Sequence, residues 1–404
     1  MKKGWEYKTL GDCCSKINGL WKGKKEPFLN VGVIRNANFT KDMTLDFSNI
    51  EYLDVEVKQF NSRKLRKGDL IIEKSGGSEK QPVGRAVLFL KDDGNYSFSN
   101  FTSVLRIINN EELSYEFLYK YLLFIYRRGD TRSMQKATTG IHNIEFEKYL
   151  NIKVPIMPLA EQRRIVSYLD SSFDLIDKIK ENASKSLSEA KALFQSALAE
   201  AMEPKEGWEE KTLGELCSKL GSGATPKGGK KIYIKNGVSL IRSLNVHKTY
   251  FKYEDLAHID DNSAKKLDNV IVKNNDVLFN ITGASIARCC VVPKDVLPAR
   301  VNQHVSIIRI KDGIVPNFLC YLLNSKSYQM ILLGIGESGS TRQAITKSNL
   351  EHFVIAYPPL DTQKQIVAHL DNLSSKVKQI EEKYQKMIAE CDAMKQAMLR
   401  EVFE

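Results

Sequence analysis

The stretch GWEYKTLGDCCSK at residues 4–16 decides the fold, because it returns as GWEEKTLGELCSK at residues 207–219. A second stretch, PLAEQRRIVSYLD at residues 158–170, returns as PLDTQKQIVAHLD at residues 359–371. Such internal similarity indicates a protein assembled from copies of one structural unit. We therefore predict two copies of a unit that consists of a globular module followed by a helix.

Length and composition limit the number of domains and the class of protein. A chain of 404 residues, 42% of them hydrophobic, is long enough to bury two cores. The sequence contains no apolar run of membrane-spanning length and no apolar signal core at its start, so we expect a soluble, cytoplasmic protein. The seven cysteines are odd in number and include no C-x-x-C pair, which favours reduced thiols over a disulfide framework.

The positive charge is concentrated in two segments. Residues 1–157 carry 26 Lys and Arg against 19 Asp and Glu, and residues 207–357 carry 20 against 13, so each segment has a net charge of +7. Residues 158–206 and 358–404 have net charges of −2 and −1. Clustered positive charge favours contact with a polyanion such as DNA. We predict two basic modules, 1–157 and 207–357, each followed by a spacer helix, 158–206 and 358–404.

Both helical segments carry an apolar stripe of the coiled-coil type. In the second segment the stripe follows alternating steps of three and four, at Leu370, Leu373, Val377, Ile380, Tyr384, Met387, Cys391, Met394 and Met398. The equivalent stripe of the first segment has many small residues, and large side chains pack well against small ones. We therefore predict that the two helices pair, as a spacer about 60 Å long for a run of about 40 residues. Burial of each helix in a globular core is the alternative.

Inside the modules the pattern changes to short strand-like runs separated by turns, such as residues 85–90 and 103–108 in the first and 305–310 in the second. The predicted fold class is therefore mixed α/β (α+β). The segments that match between the halves are structural, whereas the loops between them differ. A common scaffold with divergent loops predicts two sites of one kind with different targets.

Several of these loops have the chemistry of DNA recognition. Arginine suits guanine and asparagine suits adenine through paired hydrogen bonds, while glycine permits close approach of the backbone to a phosphate. A solvated turn is the alternative for any single residue. The candidate DNA-binding residues of the first module are Lys22, Lys24, Lys25, Arg35, Asn36, Asn38, Lys74, Ser75, Gly76, Gly77, Ser78, Arg85, Thr139, His142 and Asn143. Those of the second are Thr225, Lys227, Lys230, Lys231, Arg242, Ser243, Asn245, Thr282, Gly283, Ser285, Arg288, Thr341, Arg342 and Gln343.

No catalytic or metal-binding pattern repeats between the halves. Residues 221–231 are rich in glycine and lysine but lack the Gly-Lys-Ser/Thr of a phosphate-binding loop. The acidic group around Asp69 and Glu73 is not repeated, since the second half has Asn280-Ile281. The six histidines lack metal-ligand spacing. We predict a non-catalytic chain with no metal and no cofactor of its own.

These motifs together resemble the specificity subunits of type I restriction-modification systems, over the whole chain. The resemblance rests on Gly-Trp-x-x-Lys-Thr-Leu-Gly and Pro-Leu-x-x-Gln, each present twice. It also rests on Gly68-Asp69-Leu70-Ile71 with Gly84-Arg85, and on Gly223-Ala224-Thr225-Pro226. The second half departs from the family pattern, with Ala287-Arg288 in place of Gly-Arg.

The resemblance implies two target-recognition domains and two long antiparallel helices in a pseudo-twofold arrangement. Each domain would read one half of a bipartite DNA site, and the helix pair would fix the gap between the halves. The helices would also dock two methyltransferase subunits that bind S-adenosylmethionine, and two restriction subunits that use ATP and Mg²⁺ are further candidate partners. The alternatives are a self-contained DNA adenine methyltransferase, or another DNA enzyme, and a purely structural coiled-coil scaffold.

Overall fold

The computed structural model describes residues 5–21, 23–79, 81–138, 140–225, 228–337 and 344–404, without the side chains of Thr138 and Lys230. Two compact units divide the chain: Met1–Ala183 with Lys386–Glu404, and Ser184–Gln385. Each unit holds one module and part of both long helices. The units differ from the four predicted segments because both helices contribute side chains to the core of each unit.

The first module combines β-sheets with helices. Its strands are β1 (Glu6–Thr9), β2 (Cys14–Asn18), β3 (Phe28–Ile34), β4 (Glu51–Glu56), β5 (Leu70–Glu73), β6 (Ser75–Gly77), β7 (Ala86–Leu88), β8 (Tyr96–Phe98), β9 (Thr102–Ile107), β10 (Gln135–Thr138), β11 (Ile141–Ile144) and β12 (Lys153–Ile156). Its helices are α1 (Leu10–Cys13), α2 (Val57–Arg63), α3 (Tyr115–Arg128) and α4 (Phe146–Leu150). The sheet orders are β2-β9-β5-β7, β4-β3-β8, β10-β11-β6 and β1-β12. The strands pair antiparallel except β3 and β8, which are parallel.

The first long helix, α5 (Leu159–Ala201), leads to the second module. The strands of that module are β13 (Glu209–Thr212), β14 (Cys217–Ser222), β15 (Val238–Ile241), β16 (Ala257–Ile259), β17 (Ile271–Val272), β18 (Val277–Asn280), β19 (Cys289–Val291), β20 (Ala299–Val301), β21 (Val305–Ile310) and β22 (Val354–Tyr357). Its helices are α6 (Leu213–Leu216), α7 (Asp261–Lys265), α8 (Pro316–Asn324), α9 (Lys326–Glu337) and α10 (Lys347–Glu351), and the last helix is α11 (Leu360–Phe403). The sheet orders β14-β21-β18-β19 and β13-β22 repeat β2-β9-β5-β7 and β1-β12 of the first module, and β16-β15-β20-β17 resembles β4-β3-β8 with one strand added. The sheet β10-β11-β6 has no counterpart in the described part of the second module. The predicted mixed α/β class is confirmed.

The repeated Lys-Thr-Leu-Gly motif forms the junction between a strand and a helix in each module. Thr9 caps α1: its hydroxyl accepts a hydrogen bond from the Asp12 N–H at 3.1 Å, and the Asp12 carboxylate accepts one from the Thr9 N–H at 3.2 Å. Thr212 forms the same capping box on α6. A capping box satisfies two backbone donors at a helix start. The leucine that follows each threonine is fully buried, so the motif is a structural one.

A second repeated motif, Asp69 and its counterpart Asp276, places a buried carboxylate after a tight turn. Asp69 accepts two hydrogen bonds from the Arg106 guanidinium, both 2.7 Å, and Asp276 accepts two of the same length from Arg309. The residue before Asp69 is Gly68 with φ +90°, and the equivalent Asn275 has φ +68°. Both carboxylates are buried and bonded to an arginine of the adjacent strand, so this motif is structural.

The repeated Pro-Leu-x-x-Gln motif attaches each long helix to its module. The Gln162 amide donates hydrogen bonds to the Glu112 and Met157 carbonyls at 2.7 and 2.8 Å, and its oxygen accepts one from the Ser114 N–H at 2.9 Å. Gln363 makes the equivalent three bonds, donating to Gly313 and Pro358 at 3.0 and 2.9 Å and accepting from the Val315 N–H at 2.8 Å. Both glutamines are fully buried. We call each arrangement a glutamine latch.

The two long helices pair antiparallel within each unit, as predicted. In the first unit Lys180 of α5 donates to Asp392 of α11 at 2.8 Å, and Asp177 of α5 pairs with Lys395 of α11. In the second unit, Lys191 donates to Glu381 at 2.7 Å.

The predicted apolar stripe of α11 is wrong at two of its nine positions. Ile380 and Met394 are exposed, by 36% and 54%, whereas Lys395 is 5% exposed and lies over the Phe173 ring. Charged residues of α11 can face α5 because they form ion pairs with residues of α5. A pattern of apolar residues does not reveal such pairs. Ile179 and Leu193 of α5 are likewise exposed, because the residues of α5 that face α11 lie beside them on the helix.

Replacing Gln363 by alanine is expected to lower the free energy of unfolding by about 2–4 kcal/mol. The change removes three hydrogen bonds and leaves buried backbone groups without partners. The matched control is Gln365→Ala, because Gln365 lies on the exposed side of the same helical turn and should change stability by less than about 0.5 kcal/mol. Chemical denaturation of the full chain measures both values, and equal effects would contradict the latch.

Candidate nucleic-acid interface

Two of the predicted asparagines hold their own loops together. The side chain of Asn38 accepts from the Arg35 N–H at 2.9 Å and donates to the Asp46 and Asn49 carbonyls. Asn245 does the same with the Arg242 N–H and with the carbonyls of residues 252 and 254. Both side chains are buried, 2% and 0% exposed. The prediction that Asn38 and Asn245 contact DNA is therefore corrected: every polar atom they have is used inside the protein.

Arg85, another predicted DNA contact, is also committed to the core. Its guanidinium donates two hydrogen bonds to the Glu73 carboxylate, at 2.7 and 2.9 Å, and it lies 5.5 Å from the centre of the Phe39 ring. Arg85 and Glu73 are 7% and 1% exposed. Ser75 is buried beside them. The two charges neutralise each other. The prediction that Arg85 contacts DNA is therefore corrected: Arg85 is a structural residue.

The second module replaces this ion pair. The backbone bonds show which residues are equivalent: the Glu73 N–H donates to the Arg85 carbonyl at 2.8 Å, and the Asn280 N–H donates to the Arg288 carbonyl at 2.9 Å. Asn280 is fully buried and donates to the Ser243 and Val246 carbonyls, at 3.0 and 3.2 Å. In the part of the chain that the structure describes, Arg288 has no carboxylate partner.

Arg288 lies in an open cleft of about 470 Å³. Five predicted residues meet there: Ser243, Thr282, Gly283, Ser285 and Arg288. The other lining residues are Leu244, His247, Lys252, Ala284 and His304. His247, Lys252 and His304 are not among the residues predicted from the sequence. His304 lies just before β21, opposite the loop that follows β18. Its place in the cleft can be predicted only when the pairing of these two strands is known.

Two basic side chains line the cleft, Arg288 and Lys252, and Lys252 is paired with Glu254. Burial lowers the pKa of His247, and the nearby positive charges of Arg288 and Lys252 lower it further. The His247 ring stacks on Tyr250, with ring centres 4.8 Å apart. Thr282 Oγ1 lies 2.6 Å from His304 Nδ1. None of the ten lining residues is acidic, so an anion entering the cleft would meet no repulsive carboxylate from its walls.

In the first module the predicted residues gather on a different structure, the three-stranded sheet β10-β11-β6. His142 pairs with Gly77 and Asn143 with Ser75 in this sheet. The Asn36 amide donates to the Ser75 carbonyl at 2.5 Å. Gly76 is exposed beside it with φ +108°. Lys74, between β5 and β6, is half-buried, and burial lowers its pKa.

The remaining predicted residues lie elsewhere on the modules. Lys24, Lys25, Ser78 and Lys231 are exposed, Arg35 pairs with Glu51, the Arg242 guanidinium donates to the Asp255 carbonyl, and Thr225 hydrogen-bonds to Gln303. Their contact with DNA stays a prediction. Lys22, Thr139, Lys227, Thr341, Arg342, Gln343 and the Lys230 side chain lie outside the described residues.

Two further searches covered the described ranges. They contain no cluster of three or more His, Cys, Asp or Glu side chains with the geometry to hold a metal ion. Their helices include none with the length and apolar character needed to cross a bilayer.

The two equivalent arginines should respond differently to alanine. Arg85→Ala leaves the Glu73 carboxylate buried without a partner, so we expect a loss of about 3–5 kcal/mol in the free energy of unfolding. Arg288→Ala removes no ion pair, so we expect a loss below about 1 kcal/mol. Denaturant unfolding of the two variants checks the difference, and similar losses would mean that Arg288 is also structural.

The pKa of His247 should rise in Arg288→Ala. The substitution removes a neighbouring positive charge and opens the site to water, and both changes favour the protonated imidazole. NMR titration of the histidine ring protons measures the pKa, with His247→Gln used for assignment. Lys265→Ala, which removes one exposed charge of the same sign outside the cleft, serves as the control and should leave the pKa unchanged. An unchanged pKa in Arg288→Ala would place its guanidinium away from His247.

Comparison with known proteins identifies the family. The family model described as "Type I restriction modification DNA specificity domain" matches residues 2–188 and again residues 205–389. The type I restriction enzyme EcoKI specificity subunit of Escherichia coli strain K12 is 23% identical over 436 residues, covering 100% of this chain and 89% of that protein. The putative type I restriction enzyme MjaX specificity subunit of Methanocaldococcus jannaschii is 22% identical over 391 residues, covering 91% and 86%.

Solved structures show the same fold. The HsdS subunit from Thermoanaerobacter tengcongensis aligns with a TM-score of 0.58 and 21% identity, over 100% of this chain and 97% of that one. A chain from a structure of complex assembly and conformational transition of the type I R-M system aligns with a TM-score of 0.78 and 22% identity, over 100% and 98%. One family model matches both halves, in agreement with the repeated motifs. This chain belongs to the type I restriction-modification DNA specificity family, as its sequence motifs predicted.

Proposed function

We propose that this chain is the specificity subunit of a type I restriction-modification complex and that each module reads one half of a bipartite DNA site. The observation that carries the proposal is a duplicated framework with different loop surfaces. Both modules share the capping box, the buried Asp–Arg pair and the glutamine latch. They differ where the open cleft of the second module corresponds to the Glu73–Arg85 pair of the first.

The charge supports DNA as the ligand of both modules. Each predicted module segment has a net charge of +7, whereas the helical segments are nearly neutral. Lysine and arginine close to phosphates release condensed counterions, which favours binding of a polyanion. A self-contained methyltransferase has no support, because both halves match a DNA specificity domain.

The long helices have two roles in this proposal. Their pairing would fix the gap between the two half-sites, and their exposed apolar residues would dock two methyltransferase subunits. Tyr168 and Leu175 of α5 are 45% and 62% exposed in the first unit, and Leu193 is 62% exposed in the second. Apolar side chains of this size on an otherwise charged helix favour contact with another protein.

The chemistry would reside on the partners. In this proposal the chain carries no cofactor, the methyltransferase subunits bind S-adenosylmethionine, and restriction subunits, if present, use ATP and Mg²⁺. The complex needs access to the host chromosome, which is the reason that we expect a cytoplasmic protein.

Exchange of one module should change one half of the target. The chain is expressed with its methyltransferase subunit, and methylated adenines are mapped across the genome by long-read sequencing. We expect a split motif with a fixed gap, which disappears when this chain is omitted. Replacing residues 20–150 by those of another family member should change one half-site and preserve the other half and the gap.

The reciprocal exchange of residues 222–350 is the matched control, and it should change the other half-site. A change of both half-sites by either exchange would contradict modular recognition. Methylation without this chain would contradict its role as the specificity subunit.

A further inference from the structure

The two modules use one pair of equivalent positions in opposite ways. In the first, the Glu73 carboxylate neutralises the guanidinium of Arg85 in the core. In the second, Asn280 replaces the glutamate, and its side-chain amide donates hydrogen bonds to the carbonyls of Ser243 and Val246. The guanidinium of Arg288 is therefore left half-buried, facing the open cleft.

Other cleft positions differ in the same direction. The Lys252 N–H donates to the Asn245 carbonyl as the Asp46 N–H does to the Asn38 carbonyl, so Lys252 replaces an aspartate. The His304 carbonyl accepts from the N–H after Asn280 as the Phe101 carbonyl accepts from the N–H after Glu73, so His304 replaces a phenylalanine. Relative to the first module, the cleft therefore gains the lysine of position 252 and loses an aromatic ring at position 304, whereas Lys74 of the first module corresponds to Ile281.

We propose that the cleft centred on Arg288 binds a backbone phosphate of the DNA and that the first module has no equivalent phosphate site at Arg85. The proposal rests on the proposed function and names a positioning contact within it. Arg288 supplies a charged fork of donors, and the hydroxyls of Thr282, Ser285 and Ser243 line the same cleft. Charged and hydroxyl donors of this kind are typical of phosphate contacts.

The partial burial of Arg288 favours a phosphate over a base edge. Arg288 is half-buried, whereas Gly283 and Ala284, which line the same cleft, are exposed. A base in a stacked duplex keeps its edge within the groove, whereas a phosphate projects from the backbone and enters a depression more easily. Lys252 is already paired with Glu254 at 2.7 Å, so Arg288 is the cation of the cleft that lacks a carboxylate partner in the described chain.

The test is the salt dependence of binding. The full chain with its methyltransferase subunit is titrated with a fluorescent duplex that carries the mapped site, at several salt concentrations. For Arg288→Ala we expect binding about 10-fold weaker at about 0.1 M salt, with the slope of log K against log salt reduced by about 1. The methylated motif should stay the same. Arg288→Lys, which retains the charge, should keep the slope and lose less affinity.

Lys265→Ala provides the charge-matched control and should change affinity less than about 2-fold. Unchanged affinity and slope in Arg288→Ala would overturn the proposal. A relaxed preference at one base position with an unchanged slope would also overturn it, because Arg288 would then read a base. Thermal unfolding of each variant identifies any loss that comes from misfolding. If Arg288→Ala misfolds, Arg288→Gln, which removes the charge and keeps a polar side chain, carries the test, and an unchanged slope in that variant would overturn the proposal.

The outcome is separate from that of the proposed function. If the wild-type complex methylates a split motif and Arg288→Ala binds normally, the phosphate site fails and the specificity role stands. If the wild-type complex produces no motif, the proposed function itself fails.

Discussion

A buried glutamine at the start of each long helix is the interaction on which the rest of the structure depends. The amide group of Gln162 or Gln363 has one acceptor and two donor hydrogens, and all three are used in bonds to the backbone. Those bonds join the helix start to the segment that precedes α3 or α8. The direction in which each helix leaves its module is therefore defined by groups that are costly to leave unpaired in the core.

The framework around the latch is shared between the modules, and its charges are satisfied internally. The Asp69–Arg106 and Asp276–Arg309 pairs lie at equivalent strands and have the same bond lengths. The replacement of Glu73 by Asn280 is the difference between the modules that removes the partner of the arginine. An asparagine can satisfy backbone carbonyls but cannot neutralise a guanidinium, so the same scaffold presents a closed ion pair in one module and an open cationic cleft in the other.

The long helices show why an apolar pattern is an incomplete guide to packing. Two charged residues of α11, Glu381 and Lys395, occupy positions that face α5, because Lys191 and Asp177 neutralise them. The ammonium group of Lys395 also lies over the Phe173 ring, 5.2 Å from its centre. Ile380 and Met394 remain outside, where a partner protein can reach them.

The sequence by itself determined the duplication, the mixed α/β class, the two long helices and their pairing, because each of these follows from a repeated motif or a periodic pattern within a short stretch of chain. It also located the loops that form the second cleft, including Thr282, Ser285 and Arg288. The tertiary structure decided which polar residues are free. Asn38, Asn245 and Arg85 have the right chemistry for DNA but are buried. The two asparagines are enclosed by their own loops, and Arg85 meets Glu73 because β5 pairs with β7. His247 and His304 join the cleft for the same reason: strand pairing brings distant segments together, and no local pattern records it.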